Sequence, residues 1–130
     1  CLTALEVCEH LDEAETAEFI ACARRVLRRG GALVVTVPIV LGPVILPKEL
    51  ARMMLFRRRS DLSARELFCC AFLGRAPRRA DNLKHSHRGY DWRSTRALLR
   101  EEFGAVKTVF SPFGGLGPWV NSQVMFVAKR

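Results

Sequence analysis

The residues best suited to chemistry lie close to the start of the chain. Glu6 and Glu9 place two carboxyl groups three residues apart, and His10 follows directly. A histidine can deprotonate a hydroxyl group near neutral pH, because its unperturbed pKa lies close to neutrality. We therefore predict that His10 and Glu9 are catalytic. In the alternative interpretation, both side chains only cap and orient a turn.

A second group of such residues precedes a predicted helix in the last third of the chain. His87, Tyr90 and Trp92 stand close together in the sequence, and we predict that they bind the molecule on which the protein acts. The imidazole of His87 would also complete a set of oxygen and nitrogen ligands for a metal ion, together with the carboxylates and imidazole of the first group. We favour the interpretation without a metal.

The first group is positioned by a strand, a turn and a helix. Residues 1–5 are an apolar run, which predicts the end of a parallel strand buried on both faces. Asp12 with Glu15 three residues later is an N-cap signal, and apolar positions at helical spacing follow it. After a Gly-Gly pair, the β-branched residues of 32–37 predict a central strand. Since open α/β sheets bind ligands at the carboxyl ends of parallel strands, the acidic turn is predicted to lie at a binding edge.

The middle of the chain is predicted to be an insertion. Residues 39–87 are interpreted as a small helical lid that follows the central strand. Pro43 and Pro47 predict a loop at its beginning, residues 48–59 predict one helix, and a capping signal at Ser63 predicts a second.

The last part of the chain is predicted to be a helix followed by two strands. Asp91 is a suitable N-cap for a helix that runs through Glu102. Residues 106–110 and 123–128 have the composition of strands, and the joint over 111–122 is rich in glycine and proline. Because no helix fits in that joint, the two strands are predicted to pair antiparallel.

The charge of the chain is concentrated in one segment. The formal net charge is +8, and residues 48–80 hold nine basic side chains against three acidic ones. Such a segment favours partners that carry phosphate groups. We predict an anionic membrane surface as a partner of residues 48–80, and a nucleic acid is the less favoured partner. The alternative interpretation is a solvated helix face.

Two further features concern location and completeness. The uncharged run over residues 30–47 contains three prolines and is short for a membrane-spanning helix. No secretory signal is visible, so we expect a cytoplasmic protein. The chain starts at Cys1 rather than at a methionine, inside a predicted strand, and we expect it to be a fragment.

Three segments of the chain resemble a known family in the same order. EVCEHL, RRVLRRGG and ALVVTVPI are similar to the EVLEHL turn, the RVLKPGG helix end and the apolar strand ending in VPN of class I S-adenosylmethionine-dependent methyltransferases. The resemblance implies an α/β fold with a Rossmann-like, mostly parallel sheet that ends in an antiparallel hairpin. Residues 1–130 would then be the C-terminal half of one domain, lacking its N-terminal strands, with the helical insertion at about 39–87.

The resemblance also implies a function. Ala4, Leu5 and Glu6 would contact S-adenosylmethionine, while Glu9 and His10 would face a small-molecule or lipid-like acceptor that receives the methyl group on an oxygen or nitrogen atom. By the same resemblance, the family's glycine-rich loop and ribose-binding acid would precede the first residue, so we expect the chain alone to be inactive.

Two other functions remain open at this point. Metal-dependent RNA 2′-O-methyltransferases carry a similar Glu-x-x-Glu-His set with a later histidine. A non-catalytic half-domain is the third interpretation.

Overall fold

The computed structural model describes residues 1–57, 60, 62–78 and 88–130. The described part of the chain contains four strands, four α-helices and one short 3-10 helix. In order they are β1 (Leu2–Leu5), the 3-10 helix Cys8–His10, α1 (Glu13–Val26), β2 (Ala32–Pro38), α2 (Ile45–Phe56), α3 (Ala64–Phe72), α4 (Trp92–Phe103), β3 (Val106–Ser111) and β4 (Gln123–Lys129).

The strands form a single mixed sheet in the order β1-β2-β4-β3. β1 pairs parallel with β2, whereas β4 pairs antiparallel with both β2 and β3. The predicted α/β class, the central position of β2 and the antiparallel pairing of the last two strands are confirmed. The sheet is mixed in its pairings rather than mostly parallel, because β4 turns back and inserts between β2 and β3. The first three strands nevertheless run in one direction.

One face of the sheet carries the core. Alternate residues of β2 and β4 are fully buried there and share one hydrophobic cluster with α1 and α4. This cluster includes Leu33, Val35, Val37, Val124, Phe126, Ala128, Ile20, Ala23, Leu27 and Leu99. The intervening residues of the central strands, such as Val34 and Met125, are only half-buried. The two faces of the sheet therefore differ in how much apolar surface is covered.

The first strand departs from the prediction. It was expected to be buried on both faces, but Leu2, Thr3 and Leu5 are exposed and Ala4 is buried. The physical reason is its place in the sheet: β1 pairs with β2 on one side, and among the described residues no strand pairs with its other side.

The helix boundaries follow local chemistry. The capping boxes of Asp12 with Glu15 and of Ser63 with Glu66 are both formed, and Asp91 caps α4 as predicted. The prediction of a loop at Pro47 is wrong, because α2 starts at Ile45 and holds this proline in its first turn. A first turn tolerates proline since its backbone nitrogen needs no partner there.

The end of α2 also differs from the predicted end at residue 59. The helix stops at Phe56, and Arg57 adopts a left-handed conformation with φ of 49°. No helix in the described part of the chain has the length and apolar content needed to cross a membrane.

Candidate functional site

The candidate site begins where β1 ends. The Glu6 backbone N–H donates to the carbonyl of Thr36 over 3.0 Å, which extends the parallel pairing one residue beyond β1. Glu6 itself has a positive φ of 54°, a conformation that side chains other than glycine seldom adopt. The chain then enters the 3-10 helix, with the His10 N–H donating to the Val7 carbonyl over 3.0 Å. Strained backbone of this kind is concentrated at functional sites.

Glu9 is a buried acid inside this turn. Only 1% of its surface is exposed, and burial raises the pKa of its carboxyl group to about 7. The Glu9 backbone amide opposes this change, whereas the charge of Glu6 and a side-chain hydrogen bond with Glu6 raise the pKa further. The charge of His10 acts in the opposite direction. Near neutral pH the Glu9 carboxyl group therefore loses or regains its proton readily.

Gln123 joins this pair from the far end of the chain. Its side-chain amide donates to Oε1 of Glu6 over 3.2 Å. The antiparallel pairing of β4 with β2 sets Gln123 opposite Pro38, so that the start of β4 lies beside the carboxyl end of β2. Sequence reasoning did not select Gln123, because the insertion of β4 next to β2 was not predicted.

Lys48 approaches the same place from α2. Its ammonium group donates to the carbonyls of Ile39 and Ser122 over 3.2 and 3.3 Å. Burial lowers the pKa of Lys48, and the negative charge of Glu6 partly offsets this effect. Lys48 thus brings a positive charge into the electrostatic reach of Glu6. It was counted only within the basic segment, and no signal in the sequence separated it from the arginines around it.

A shallow cleft of about 370 Å³ adjoins these residues. It lies at the hairpin end of the sheet, and Thr36 and Gln123 link it to the acidic turn. The rest of its lining is largely apolar and comes from Val109, Phe110, Ser111, Pro112, Gly114, Val124 and Met125. The cleft is a suitable place for a small apolar or amphipathic molecule next to Glu6.

The predicted site residues of the first group are brought together in part. Glu6, Glu9 and His10 form one electrostatically linked cluster. Leu5 is 61% exposed and is paired with Thr36 in the sheet, whereas Ala4 is buried in the core on the covered face. The side chain of Ala4 is therefore part of the core, and its contact with a cofactor stays a prediction.

The second predicted group is placed differently. Tyr90 is buried and its hydroxyl group shares a 2.7 Å hydrogen bond with the hydroxyl of Thr95. Trp92 is buried against Phe110 and Phe126, with ring centroids 5.8 and 6.3 Å apart. Both side chains belong to the core, where Trp92 packs against the two strands of the hairpin. Their contact with an acceptor stays a prediction. His87 lies outside the described residues.

The part of the chain that the structure describes contains no cluster of side chains that supports the metal interpretation. There, no group of three or more His, Cys, Asp or Glu side chains is arranged to hold a metal ion. The fourth ligand of that interpretation, His87, is not among the described residues.

Comparison with known proteins found no family model, no curated protein and no solved structure that matches this chain. The chemistry of the site follows from its own side chains. The half-exposed Glu6 carboxyl group would attract a ligand that carries positive charge. The raised pKa of Glu9 suits a group that accepts a proton near neutral pH.

Proposed function

We propose that this chain takes part in S-adenosylmethionine-dependent methyl transfer to an oxygen or nitrogen atom of a small-molecule or lipid-like acceptor. The observation that carries the proposal is the Glu6–Glu9 carboxyl pair at the carboxyl end of β1. This is the edge at which an open α/β sheet binds its ligands, and it is the segment in which the chain resembles the methyltransferase turn.

The strand order supports the same proposal. A parallel pair joined by a helix is followed by a hairpin whose last strand runs antiparallel and inserts next to the second strand of the pair. The second half of a class I methyltransferase sheet is built in this way. The pattern alone specifies a fold rather than a reaction, so the acid pair is needed as well.

The residues of the turn fit the cofactor. When bound, S-adenosylmethionine supplies a reactive methyl group on a positively charged sulfonium. The half-exposed carboxylate of Glu6 would attract such a cation. The hydrogen bond from the Gln123 amide fixes the position of this carboxylate. The exposed side chain of Leu5 offers apolar surface beside it. Leu5 and Glu6, with the backbone of Ala4, are thus the residues that would hold the cofactor.

Glu9 and His10 would accept the proton that the acceptor releases. Glu9 has a pKa of about 7, which suits a group that accepts a proton near neutrality. Because Glu9 is buried, we assign direct contact with the acceptor to the half-exposed His10, with Glu9 behind it. When the imidazole of His10 has taken up a proton, the negative charge of Glu9 stabilises the imidazolium.

Isothermal titration calorimetry tests the proposed binding of S-adenosylmethionine. The sample is the longest gene product that contains this chain, as wild type, Glu6→Gln and Glu13→Gln. We expect Glu6→Gln to weaken binding about tenfold, equivalent to about 1.4 kcal/mol, because it removes the negative charge beside the cation. Glu13 is an exposed acid on α1, and its variant should bind as the wild type does. Absence of binding by the wild type, or equal affinity of Glu6→Gln, would overturn the proposal.

A further inference from the structure

The outward face of α2 is apolar, which is the reverse of an ordinary surface helix. Its charged side chains are engaged with the protein: Lys48 donates to two backbone carbonyls, and Glu49 accepts hydrogen bonds from Arg52 and from Ser60 over 2.9 and 2.6 Å. The large apolar side chains that α2 exposes are Leu50, Met53, Met54, Leu55 and Phe56, of which Leu55 is 77% exposed. α2 therefore presents apolar side chains where solvent-facing residues are usually charged.

α3 adds an aromatic pair to this surface. Phe68 and Phe72 lie one helical turn apart, are 56% and 53% exposed, and have ring centroids 5.2 Å apart. The opposite side of α3 is occupied, because Cys70 and Ala71 are buried in a small cluster with Leu41 and with Ile45 of α2. The exposed rings are consequently not needed for packing the two helices together.

The loop between β3 and β4 lies next to the base of these helices. A Cβ atom added at Gly42 would stand 3.7 Å from the Cα of Trp119, and Lys48 binds the carbonyl of Ser122. The loop exposes four large apolar side chains, Phe113, Leu116, Trp119 and Val120. Tryptophan is enriched at the boundary between a bilayer and water, because its ring is apolar and its N–H group can reach the polar side.

Among the described residues of 48–78, every exposed charged side chain is basic. Arg57, Arg65, Arg75 and Arg78 are exposed. The two acidic residues described in the same range, Glu49 and Glu66, are half-buried. Glu66 pairs with Arg88 over 2.6 Å, and Glu49 pairs with Arg52. Surface apolar residues flanked by arginines match an anionic lipid surface. A second copy of the chain would bring the same arginines together and would be repelled.

We propose that α2, α3 and the loop over residues 113–120 dock on an anionic membrane surface. α2 has 12 residues, so it is about 18 Å long and lies in the interface rather than crossing the bilayer. Its apolar side chains enter the boundary between headgroups and acyl chains, and the arginines bind lipid phosphate and carboxylate groups. The proposal holds whether or not the chain transfers methyl groups.

Vesicle flotation tests this docking. The chain is mixed with phosphatidylcholine vesicles, either pure or with about 30% phosphatidylserine, and the bound fraction is measured. We expect binding to the anionic vesicles that decreases as salt is added. The double variant Met54→Glu/Leu55→Glu should bind at least about tenfold more weakly, because it removes apolar contact and adds negative charge.

Two further variants make the result specific. Arg57→Gln/Arg65→Gln should lower binding to the anionic vesicles by about 25-fold, since each basic residue contributes roughly fivefold near such a surface. Val26→Glu is the matched control: Val26 is 62% exposed, but it belongs to α1. Its binding should equal that of the wild type. Equal binding to neutral and anionic vesicles, an equal loss in Val26→Glu, or self-association of a chain that binds no vesicles would each overturn the proposal.

Discussion

At the scale of single residues, the acid pair of the first turn decides what the site can do. Glu6 is half-exposed, strained and hydrogen-bonded to Gln123, whereas Glu9 is buried behind it with a raised pKa. In the proposed function these two carboxyl groups, which have different surroundings, would take different roles, Glu6 an electrostatic one and Glu9 one in proton transfer. This division explains how a turn of five residues could serve both a cationic ligand and an acceptor.

The raised pKa of Glu9 predicts a dependence of stability on pH. Because the folded protein holds this proton more tightly than the unfolded chain, the stabilisation is fully present below about pH 4.5 and is lost as the pH rises to about 7. The loss should be on the order of 3 kcal/mol. Urea unfolding at about pH 5 and about pH 8 measures it.

The variant Glu9→Gln isolates this effect. It cannot titrate, so the difference in free energy of unfolding between the two pH values should shrink by most of the predicted loss. Glu13→Gln, an exposed acid in the following helix, should leave the difference unchanged. If the wild type does not lose stability between about pH 5 and about pH 8, or if Glu9→Gln loses as much as the wild type, Glu9 is not a protonated buried acid.

The acidic cluster was predictable from the sequence because its members are adjacent along the chain. Glu6, Glu9 and His10 lie in one turn, and any strand-to-helix connection brings them together. Gln123 was not predictable in the same way, since 117 positions separate it from Glu6 and only the strand order joins them.

At the scale of elements, the hairpin loop owes its shape to one buried amide. The Asn121 side chain is fully buried and accepts from the Phe113 N–H over 2.6 Å. Its NH₂ group donates to the carbonyls of Phe113, Leu116 and Gly117 at 2.9 to 3.0 Å. A single side chain thereby organises a segment that has no regular secondary structure and that carries the exposed aromatic residues.

Asn121→Ala should therefore destabilise the chain by about 3 kcal/mol, because it leaves buried backbone groups without partners. The free energy of unfolding from urea titration gives the value. Val120→Ala, at the exposed neighbouring position, should change it by less than about 0.5 kcal/mol. Similar values for the two variants would mean that Asn121 does not organise the loop.

Most elements were predictable, and the exceptions have physical reasons. Caps such as Asp12, Ser63 and Asp91 act locally, so their residue types alone indicate where helices begin. Pro47 misled the prediction because a proline is as compatible with the first turn of a helix as with a loop. The end of α2 depends on the left-handed backbone of Arg57. Arginine is not a residue type that predicts this conformation, so the helix end could not be predicted.

At the scale of the whole molecule, the sheet is covered unequally. α1 and α4 share a core with one face, whereas the alternate residues of β2 and β4 on the other face are half-buried. The β-branched sequence of β2 predicts a central strand, and β2 does have a neighbouring strand on each side. Composition can indicate that a strand suits burial, but it cannot show which neighbours cover it.

α2 connects the proposed membrane surface to the candidate site. α2 follows the carboxyl end of β2, and its Lys48 reaches both the hairpin and the field of Glu6. A lipid-like acceptor held at the membrane surface would then approach the candidate site from the side of α2. The two proposals fit one geometry, yet each has its own test.

Photo-crosslinking with methyl-labelled S-adenosylmethionine tests the proposed function most directly. The longest gene product that contains this chain is irradiated with the labelled cofactor and digested with trypsin, which first cuts this sequence after Arg24. We predict that the label is found in the peptide holding Leu5 and Glu6, and that excess S-adenosylhomocysteine prevents labelling. A protein that takes up no label, or a label confined to other peptides of this chain, would contradict the assignment of methyl transfer to this turn.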